Sequence, residues 1–310
     1  MNKVLIMLST YNGETYLRDQ LNSLYAQKGV EVHILVRDDG SKDDTVSILQ
    51  EYKNINGKMT ILLEPNVGAK QSFHSLMIYA REKFANYDYY AFCDQDDFWL
   101  ENKLYAAVEK LDKLNDKFKL YFCSMTSVDS NLTLLSLNKR VRVINNLYAN
   151  MTTGRIAGCT QVFNYAILDK ACKLSYDIIN NDTKLLPYHD WWVANISYCL
   201  SDNVLYDERS FILYRQHGNN VVGSQNNTFF DRLKRFVNPE NRIFRPLVAE
   251  RTIADIGDEI SLEKKSFLQK VVCYKQSLMN TLKLMFDKRM YQYEADVSIP
   301  LFLIIMLHKF

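Results

Sequence analysis

The sequence predicts an α/β fold with a mostly parallel sheet and flanking helices, followed by a helical extension at the carboxyl end. The first supporting observation is that short apolar runs alternate with helical patterns through about the first 115 residues. Strands that alternate with helices form βαβ units, in which the strands pair in parallel. The second is that the pattern becomes helical from residue 227. We therefore expect one domain over 1–226, divided near residue 115, and a helical region over 227–310.

Each element of this alternation has its own signal. The predicted strands are four apolar runs that end in turns or polar clusters, namely Lys3–Leu8, Val32–Val36, Met59–Leu63 and Tyr89–Phe92. Thr15 is expected to cap the first helix, and Asp43 or Asp44 the second, because both positions precede an apolar face of helical spacing. Near the carboxyl end, one long helix is predicted from Leu262 to Phe286.

Composition excludes several classes of protein. The 310 residues are 47% hydrophobic, which is ample for a core, and the net charge of +2 gives no basic field for nucleic acid. No window approaches the roughly 20 apolar residues of a spanning helix. The start, MNKVLIMLSTYNG, lacks the features of a signal peptide. The six cysteines are scattered without paired spacing, which favours buried free thiols in a cytosolic protein.

Three aspartates follow the fourth predicted strand in the stretch CDQDDFW, at positions 94, 96 and 97. Burying several carboxylates without partners is costly, so this strand is expected to end at an open edge. Hard cations take oxygen ligands, so Asp94 and Asp96 can share one Mg²⁺ or Mn²⁺. The alternative is an acidic turn that caps the helix beginning near Glu101, a role that suits Asp97 best.

Polar clusters follow three of the predicted strands, at Ser9–Gly13, Asp38–Ser41 and Asp94–Asp97. The carboxyl ends of parallel strands meet at one edge of a sheet, and ligands bind beyond that edge. No glycine-rich dinucleotide fingerprint and no GxxxxGK[ST] loop occurs. The clusters therefore indicate a ligand site, with hydride transfer and P-loop chemistry disfavoured.

Two later segments hold candidate ligand contacts. Small residues lie at the centre of Arg155–Phe163, including Gly158, and they suit either close approach of a ligand or tight packing. His217 lies in the loop RQHGNN, where glycine and asparagine make a core position improbable. It is a candidate metal ligand or diphosphate contact.

The stretch PYHDWW opens an apolar helix and contains Asp190. An aspartate at a helix start is commonly an N-cap. Beside Trp191 and Trp192, however, its carboxylate would sit in a water-poor setting suited to a general base. The two indole rings also offer flat apolar faces on which an acceptor sugar can stack.

The remaining segments suggest surfaces. Lys139, Arg140 and Arg142 form a basic patch, either near a phosphate or simply solvated. The segment 229–237 is a basic amphipathic helix that suits either an anionic membrane surface or packing on the domain. The apolar tail Val297–Phe310 can lie on a membrane, dock on the core or pair with a second subunit.

Taken together, the motifs STYNG, RDDGSKDDT, CDQDDFW, GCTQVF, HDWW and YRQHGNN resemble the family-2 glycosyltransferases, inverting enzymes of the Rossmann-like GT-A fold. The resemblance covers about residues 3 to 225, and the joint order of six motifs is specific. The DQDD form and the RQHGNN loop are most similar to bacterial rhamnosyltransferases of cell-wall or capsular polysaccharide synthesis. One departure is His189 before Asp190, where many relatives have glutamate.

The resemblance implies a nucleotide-sugar donor, a Mg²⁺ or Mn²⁺ cofactor, and a role for each matching residue. Asp190 would deprotonate the acceptor, with Trp191 and Trp192 beside it. Donor contacts would come from Thr10, Tyr11, Asn12, Asp39, Asp94 and Gly158. Metal contacts would come from Asp94, Asp96 and His217. Residues 1–115 would form the nucleotide-sugar half, and 116–226 the acceptor half.

The reaction expected from the resemblance is transfer of L-rhamnose from dTDP-L-rhamnose to a saccharide acceptor, lipid-linked and at the cytoplasmic face of the membrane. A UDP-hexose donor such as UDP-galactose, UDP-glucose or UDP-N-acetylhexosamine is the alternative. Two other functions remain open: a nucleotidyltransferase, although STYNG lacks its glycine-rich basic loop, and an inactive nucleotide-binding scaffold. A homodimer through the apolar tail is a further possibility.

Overall fold

The computed structural model describes residues 1–135, 145–153, 156–181, 186–217, 245–291, 302 and 305–308. Several sequence predictions concern residues outside these ranges. They are the basic patch of Lys139, Arg140 and Arg142, the amphipathic segment 229–237, and most of the tail 297–310. The predicted domain boundary at residue 226 also lies outside the described residues.

Within the described part of the chain, eight strands form one mixed sheet in the order β3-β2-β1-β4-β7-β6-β8-β5. Strands β3, β2, β1 and β4 are parallel, β7 runs antiparallel to both its neighbours, and β8 is parallel to β6 but antiparallel to β5. The bounds are β1 Lys3–Thr10, β2 Glu31–Asp38, β3 Met59–Leu63, β4 Tyr89–Cys93, β5 Phe98–Trp99, β6 Leu120–Val128, β7 Gln161–Asn164 and β8 Leu205–Arg215. The predicted mostly parallel α/β fold is confirmed.

Strands β1 and β4 are apolar along almost their whole length because both faces of the sheet are covered by helices. From Val4 to Leu8 and from Tyr90 to Cys93 every side chain is fully buried. A parallel strand buried on both faces has no polar alternate positions, which explains the continuous apolar runs in the sequence. These two strands bring the first and third polar clusters to the same edge of the sheet.

Ten α-helices are described, together with 3₁₀ turns at Gly158–Thr160, Tyr274–Gln276 and Lys288–Tyr291. The helices are α1 Leu17–Tyr25, α2 Thr45–Asn56, α3 Ala69–Lys83, α4 Lys103–Asp112, α5 Leu147–Thr153, α6 Tyr165–Asn181, α7 His189–Leu200, α8 Arg245–Ile256, α9 Leu262–Cys273 and α10 Leu278–Met285. None of these helices has both the length and the apolar character needed to cross a bilayer.

One prediction about a helix end and one about helix length are wrong. Tyr16, not Thr15, is the N-cap of α1, and no side chain caps that helix. The prediction for α2 is confirmed, since Asp44 is its N-cap residue and the Asp43 side chain accepts the Thr45 amide at 3.0 Å. The single helix predicted from Leu262 to Phe286 is two helices, because the Ser277 side chain accepts the Asn280 amide and starts α10 afresh.

The helices of the carboxyl-terminal region share a core with the sheet. One face of the sheet packs Phe92 and Phe163 into the same apolar cluster as Phe267 of α9 and Tyr274 after it. The other face packs against α1, α2 and α4 in a second cluster. The described residues after 245 therefore complete one side of the sheet rather than forming a core of their own.

Candidate active site

Three loops interlock beyond the carboxyl ends of β1, β2 and β4. The Asn12 amide donates to Ser41 Oγ at 2.9 Å, which joins the loop after β1 to the loop after β2. Gln95 receives the Tyr11 amide at 2.8 Å and donates back to the Tyr11 carbonyl at 3.0 Å, which joins the first loop to the acidic loop. The polar clusters predicted to meet at one edge do meet. Gln95 was not singled out from the sequence, although it lies inside the acidic motif.

Thr10 is part of the scaffold of this edge. Its hydroxyl donates to Asp38 Oδ1 at 2.9 Å, and both side chains are buried. Asp38 also accepts the Ser41 amide at 2.9 Å and the Ser41 hydroxyl at 2.6 Å. Of the three residues predicted to flank the nucleotide, Tyr11 and Asn12 are exposed and Thr10 lies beneath them.

Asp39 lies under the loop that leads into α3. Its carboxylate forms an ion pair with Arg37 and accepts the amides of Val67 at 2.9 Å and Gly68 at 2.8 Å. Gly68 has a φ of +82°, a conformation that favours glycine. The carboxylate, which is 2% exposed, therefore anchors this loop beside the site, and its predicted contact with the base stays a prediction.

The acidic loop after β4 holds carboxylates in different environments. Asp94 and Asp96 are partly exposed, and Asp96 Oδ2 lies 2.9 Å from His217 Nε2. The pKa of Asp94 is raised to about 7 by burial and by the charges of Asp96 and Asp190. This mutual repulsion places Asp190, far away in sequence, in the same electrostatic neighbourhood as the acidic loop.

The prediction that Asp97 caps the following helix is wrong. Helix α4 begins at Lys103 with Asn102 as its N-cap. Asp97 is fully buried, its Oδ1 accepts the Arg215 amide at 3.2 Å, and burial raises its pKa well above the usual value. Together with Asp94 and Cys159 it offers ligand atoms that all lie within 4.8 Å of one another.

Asp190 lies in the first turn of α7, whose N-cap is Tyr188. Its Oδ1 accepts the Trp191 amide at 2.7 Å, so the carboxylate satisfies one of the free amides of the helix start without being the N-cap residue. Burial raises the pKa of Asp190 to about 6, while the backbone amides of Trp191 and Gly158 act in the opposite direction. A carboxylate of this kind is ionised near neutral pH and is more basic than an exposed aspartate.

Gly158 allows α7 to approach the 3₁₀ turn before β7. A Cβ on Gly158 would lie 2.6 Å from His189 Nε2 and 3.3 Å from the Asp190 Cβ. The close approach expected at this glycine is therefore one between protein segments in this structure, at the base of the Asp190 side chain. Its predicted contact with the donor stays a prediction.

Two histidines, of which His74 is fully buried and His189 partly buried, hold the start of α7 in place. The His189 ring stacks on Phe73 at 3.8 Å between ring centroids and meets the Phe92 ring edge-on at 4.5 Å. His74 Nε2 donates to the Pro187 carbonyl at 2.9 Å. Burial lowers the pKa of His74 to about 4 and that of His189 well below its usual value, so both rings are neutral. No sequence signal identified His74, because its partner is more than a hundred positions away.

The prediction that Trp191 and Trp192 stack on an acceptor is corrected by their burial. Trp191 is 3% exposed and Trp192 is 0% exposed. Their indole nitrogens donate to the carbonyls of Asn150 at 2.8 Å and Ala171 at 2.9 Å. Both rings fasten α7 to neighbouring helices and present no face to a ligand.

The carboxylates of the acidic loop are the kind of ligand that a hard divalent cation takes. The structure groups Asp94 with Asp97 and Cys159, whereas Asp96 pairs with His217, so a cation shared by Asp94, Asp96 and His217 stays a prediction. Carboxylates are the preferred ligands of Mg²⁺, and Mn²⁺ accepts imidazole as well. The pKa of Asp94 is raised first by burial and then by the charges of Asp96 and Asp190, and a bound cation would favour the ionised carboxylate against both effects.

Comparison with known proteins gives one family match. The family model described as "Glycosyl transferase family 2" matches residues 5–171, more than half of the chain. The curated dTDP-rhamnosyl transferase RfbG of Shigella flexneri is 29% identical over 254 residues, covering 78% of this chain and 82% of that protein. The putative teichuronic acid biosynthesis glycosyltransferase TuaG of Bacillus subtilis is 27% identical over 51% of this chain and 60% of its own.

Solved structures give the same fold at low sequence identity. TarS 1-349 of S. aureus aligns with a TM-score of 0.56 and 18% identity, over 92% of this chain and 75% of TarS 1-349. The mannosyltransferase PcManGT of Pyrobaculum calidifontis, solved with GDP-Man and Mn²⁺, aligns with a TM-score of 0.52 and 13% identity, over 96% and 86% of the two chains. At this identity the likeness concerns the fold alone.

Proposed function

Because this chain belongs to glycosyl transferase family 2, we propose that it is a metal-dependent inverting transferase that moves L-rhamnose from dTDP-L-rhamnose to a saccharide acceptor. The observation that carries the proposal is the carboxylate of Asp190 at the start of α7, which accepts the Trp191 amide and lies close enough to Asp94 of the acidic loop for the two charges to interact. The choice of donor is supported by the similarity to RfbG along most of both chains.

Asp190 takes the proton of the acceptor hydroxyl as that oxygen attacks the anomeric carbon. Inversion needs one base on the face opposite the leaving group and no carboxylate nucleophile. The raised pKa of Asp190, about 6, makes it a better proton acceptor than an exposed aspartate while leaving it ionised at neutral pH. The neutral His189 ring behind it orients the helix start and takes no proton.

Asp94, Asp96 and His217 would hold the divalent cation, and Asp96 and His217 are in contact at 2.9 Å. When bound, the cation neutralises the charge that develops on the leaving nucleoside diphosphate. Tyr11 and Asn12 lie along the nucleotide from the loop after β1, over Thr10. In this proposal Asp39 would contact the base, and the Gly158 backbone would border the sugar.

Other nucleotide sugars are the main competing donors. TarS has been solved with UDP-GlcNAc and PcManGT with GDP-Man, on the same fold. A panel of dTDP-, UDP- and GDP-sugars, scored by release of nucleoside diphosphate with a lipid-linked saccharide acceptor, tests the proposal. Release from dTDP-L-rhamnose above the others supports it, and preference for a UDP-hexose overturns the choice of donor. Binding of nucleotide without turnover of any donor would identify an inactive scaffold, against which the presence of Asp94, Asp96 and Asp190 argues.

Replacement of the proposed base gives a second test. Asp190→Asn is expected to reduce transfer by about 10²- to 10⁴-fold, because the amide cannot accept the proton. Donor affinity is expected to stay near that of the wild type, since the amide keeps the oxygen that accepts the Trp191 amide. Transfer at the wild-type rate would exclude Asp190 as the base.

We place the acceptor in polysaccharide synthesis and the enzyme at the inner surface of the cell membrane. TuaG, by its description a putative enzyme of teichuronic acid synthesis, supports the polymer context. For the membrane, the support is helix α10 and its flanks, where Leu278, Met279 and Phe286 are exposed and the chain from 274 to 286 contains two lysines and no acidic residue. Apolar side chains among cations suit an anionic lipid surface.

A further inference from the structure

We propose that Arg215 is a positioning residue that sets the geometry of Asp96 and His217; the inference rests on the proposed metal-dependent transfer. Arg215 is the last residue of β8 and stands two positions before His217. It is 1% exposed, so its guanidinium is removed from water inside the protein. A buried guanidinium is tolerated where its N–H donors find hydrogen-bond acceptors and its charge is paired.

Arg215 holds the acidic loop through two contacts on successive residues. Its Nε donates to the Asp96 carbonyl at 2.9 Å, and its backbone amide donates to Asp97 Oδ1 at 3.2 Å. These bonds hold the chain on the carboxyl side of the Asp96 Cα, one at the Asp96 carbonyl and one through the Asp97 side chain. The direction of the Asp96 carboxylate, and its contact with His217, follow from that backbone.

The same guanidinium holds two further segments. Its Nη2 donates to Asp19 Oδ2 of α1 at 3.1 Å, and its Nη1 donates to the Ser130 carbonyl after β6. The guanidinium carbon also lies 4.4 Å from the centre of the Tyr16 ring, on which His217 rests at 5.0 Å. Arg215 therefore joins β8, the acidic loop, the start of α1 and the loop after β6 at one point.

A lysine cannot reproduce this arrangement. The planar guanidinium directs several donors in fixed directions and stacks on an aromatic ring, whereas an ammonium is a single flexible point charge. Groups that orient metal ligands without touching the metal typically change metal affinity by about 10- to 100-fold when they are removed. Arg215→Lys keeps the positive charge but loses the donors that point in fixed directions. The variant therefore separates the effect of positioning from that of charge.

The test is the Mn²⁺ dissociation constant measured by electron paramagnetic resonance in the presence of dTDP. We expect Arg215→Lys to bind Mn²⁺ about 10- to 100-fold more weakly than the wild type. The matched control is Arg209→Lys, on the same strand, where an exposed guanidinium pairs with Asp207 away from the acidic loop. This control is expected to bind Mn²⁺ as the wild type does.

A second pair of variants keeps the inference testable if Arg215→Lys does not fold. Asp19 is 54% exposed, so Asp19→Ala is expected to fold while removing a guanidinium partner. The control is Glu101→Ala, which also removes a surface carboxylate and its ion pair, here with Lys28, but leaves Arg215 unchanged. We expect Asp19→Ala to weaken Mn²⁺ binding more than Glu101→Ala does.

The outcomes distinguish this inference from the function on which it rests. A wild-type protein that binds no Mn²⁺ with dTDP would overturn the metal site itself. A wild-type protein that binds Mn²⁺, together with a folded Arg215→Lys variant or an Asp19→Ala variant that binds it equally well, would overturn the positioning role alone. Weak binding by the Arg215→Lys and Asp19→Ala variants, with both controls unchanged, supports it.

Discussion

Asp190 and His189 are adjacent in the chain, and burial acts on them in opposite directions. It raises the pKa of the Asp190 carboxyl to about 6 and lowers that of the His189 imidazole well below its usual value. Burial disfavours the charged form of each group. The charged form is the carboxylate anion for Asp190 and the imidazolium cation for His189. At neutral pH the pair therefore contains one anionic group that can accept a proton and one uncharged ring that packs on Phe73.

The raised pKa of Asp190 predicts a pH dependence for transfer. Only the deprotonated carboxylate can act as a base, so the rate should rise with pH through about 6 and then level off. The measurement is kcat/KM for the acceptor against pH, with donor affinity followed over the same range. A profile that is flat or falls through pH 6, with donor affinity unchanged, would contradict the assignment of Asp190 as the base.

Gly158→Ala is expected to displace the residues at the start of α7. The new Cβ would lie 2.6 Å from His189 Nε2, so the His189 ring and the neighbouring Asp190 must shift. Misplacement of a catalytic group by about 1 Å can cost about 10²-fold in rate, and we expect a loss of that order in kcat. Adding His189→Ala removes the nearest atoms and should restore part of the activity. A double variant no better than the single one would show that Gly158 acts otherwise, for example through the donor.

At the scale of elements, helix α10 carries apolar side chains on its exposed side as well as on its buried side. Thr281, Leu284 and Met285 face the core, while Leu278, Met279 and Phe286 are 76%, 61% and 69% exposed. A helix that is apolar around most of its circumference normally has a second apolar neighbour. Lys275 and Lys283 are exposed beside this face. Because their positive charges attract anionic headgroups, a bilayer that contains anionic lipids is the neighbour that fits this face.

The exposed face of α10 predicts binding to anionic vesicles. The triple variant Leu278→Ser, Met279→Ser and Phe286→Ser should bind phosphatidylglycerol vesicles at least about tenfold more weakly, since one fully buried apolar side chain is worth about 1.5–3 kcal/mol. Ile55→Ser, which changes a 70% exposed side chain on α2, is the control and should bind normally. Equal vesicle binding by all proteins would contradict the prediction. A dimer that the triple variant abolishes would instead identify the face as a contact between subunits.

At the scale of the whole molecule, the helices after 245 are part of the main core. Phe267 of α9 is fully buried, and its ring meets that of Tyr148 edge-on at 4.8 Å. The cluster that contains it also includes Leu5 and Met7 of β1 at the centre of the sheet. A shared cluster couples the stability of the carboxyl-terminal helices to that of the sheet that positions the site.

The shared core predicts that Phe267→Ala destabilises both regions together. The cavity should cost about 3–5 kcal/mol, and hydrogen exchange should accelerate in β1 as well as in α9. Phe286→Ala is the control, because its side chain is exposed and surface changes typically alter stability by less than about 0.5 kcal/mol. Acceleration confined to the helices after 245 would show that they form an independent unit.

The sequence by itself determined the four strands β1 to β4, which form the parallel half of the sheet, and the edge at which the polar clusters meet. These follow from apolar periodicity and from turn residues, which are local properties of the chain. Asp94, Asp96 and Asp190 could also be singled out from their motifs. The helix break at Ser277 was missed, because a single side-chain cap is a weak signal inside a long helical pattern.

Only the tertiary structure decided what surrounds each candidate side chain. It buried Trp191 and Trp192 in the core and placed Asp97 against the Arg215 backbone. It also brought His74 to Pro187, and Arg215 at the end of β8 to Asp19 of α1. Burial and long-range hydrogen bonds depend on contacts between residues far apart in the chain, and one sequence contains no local signal of such contacts.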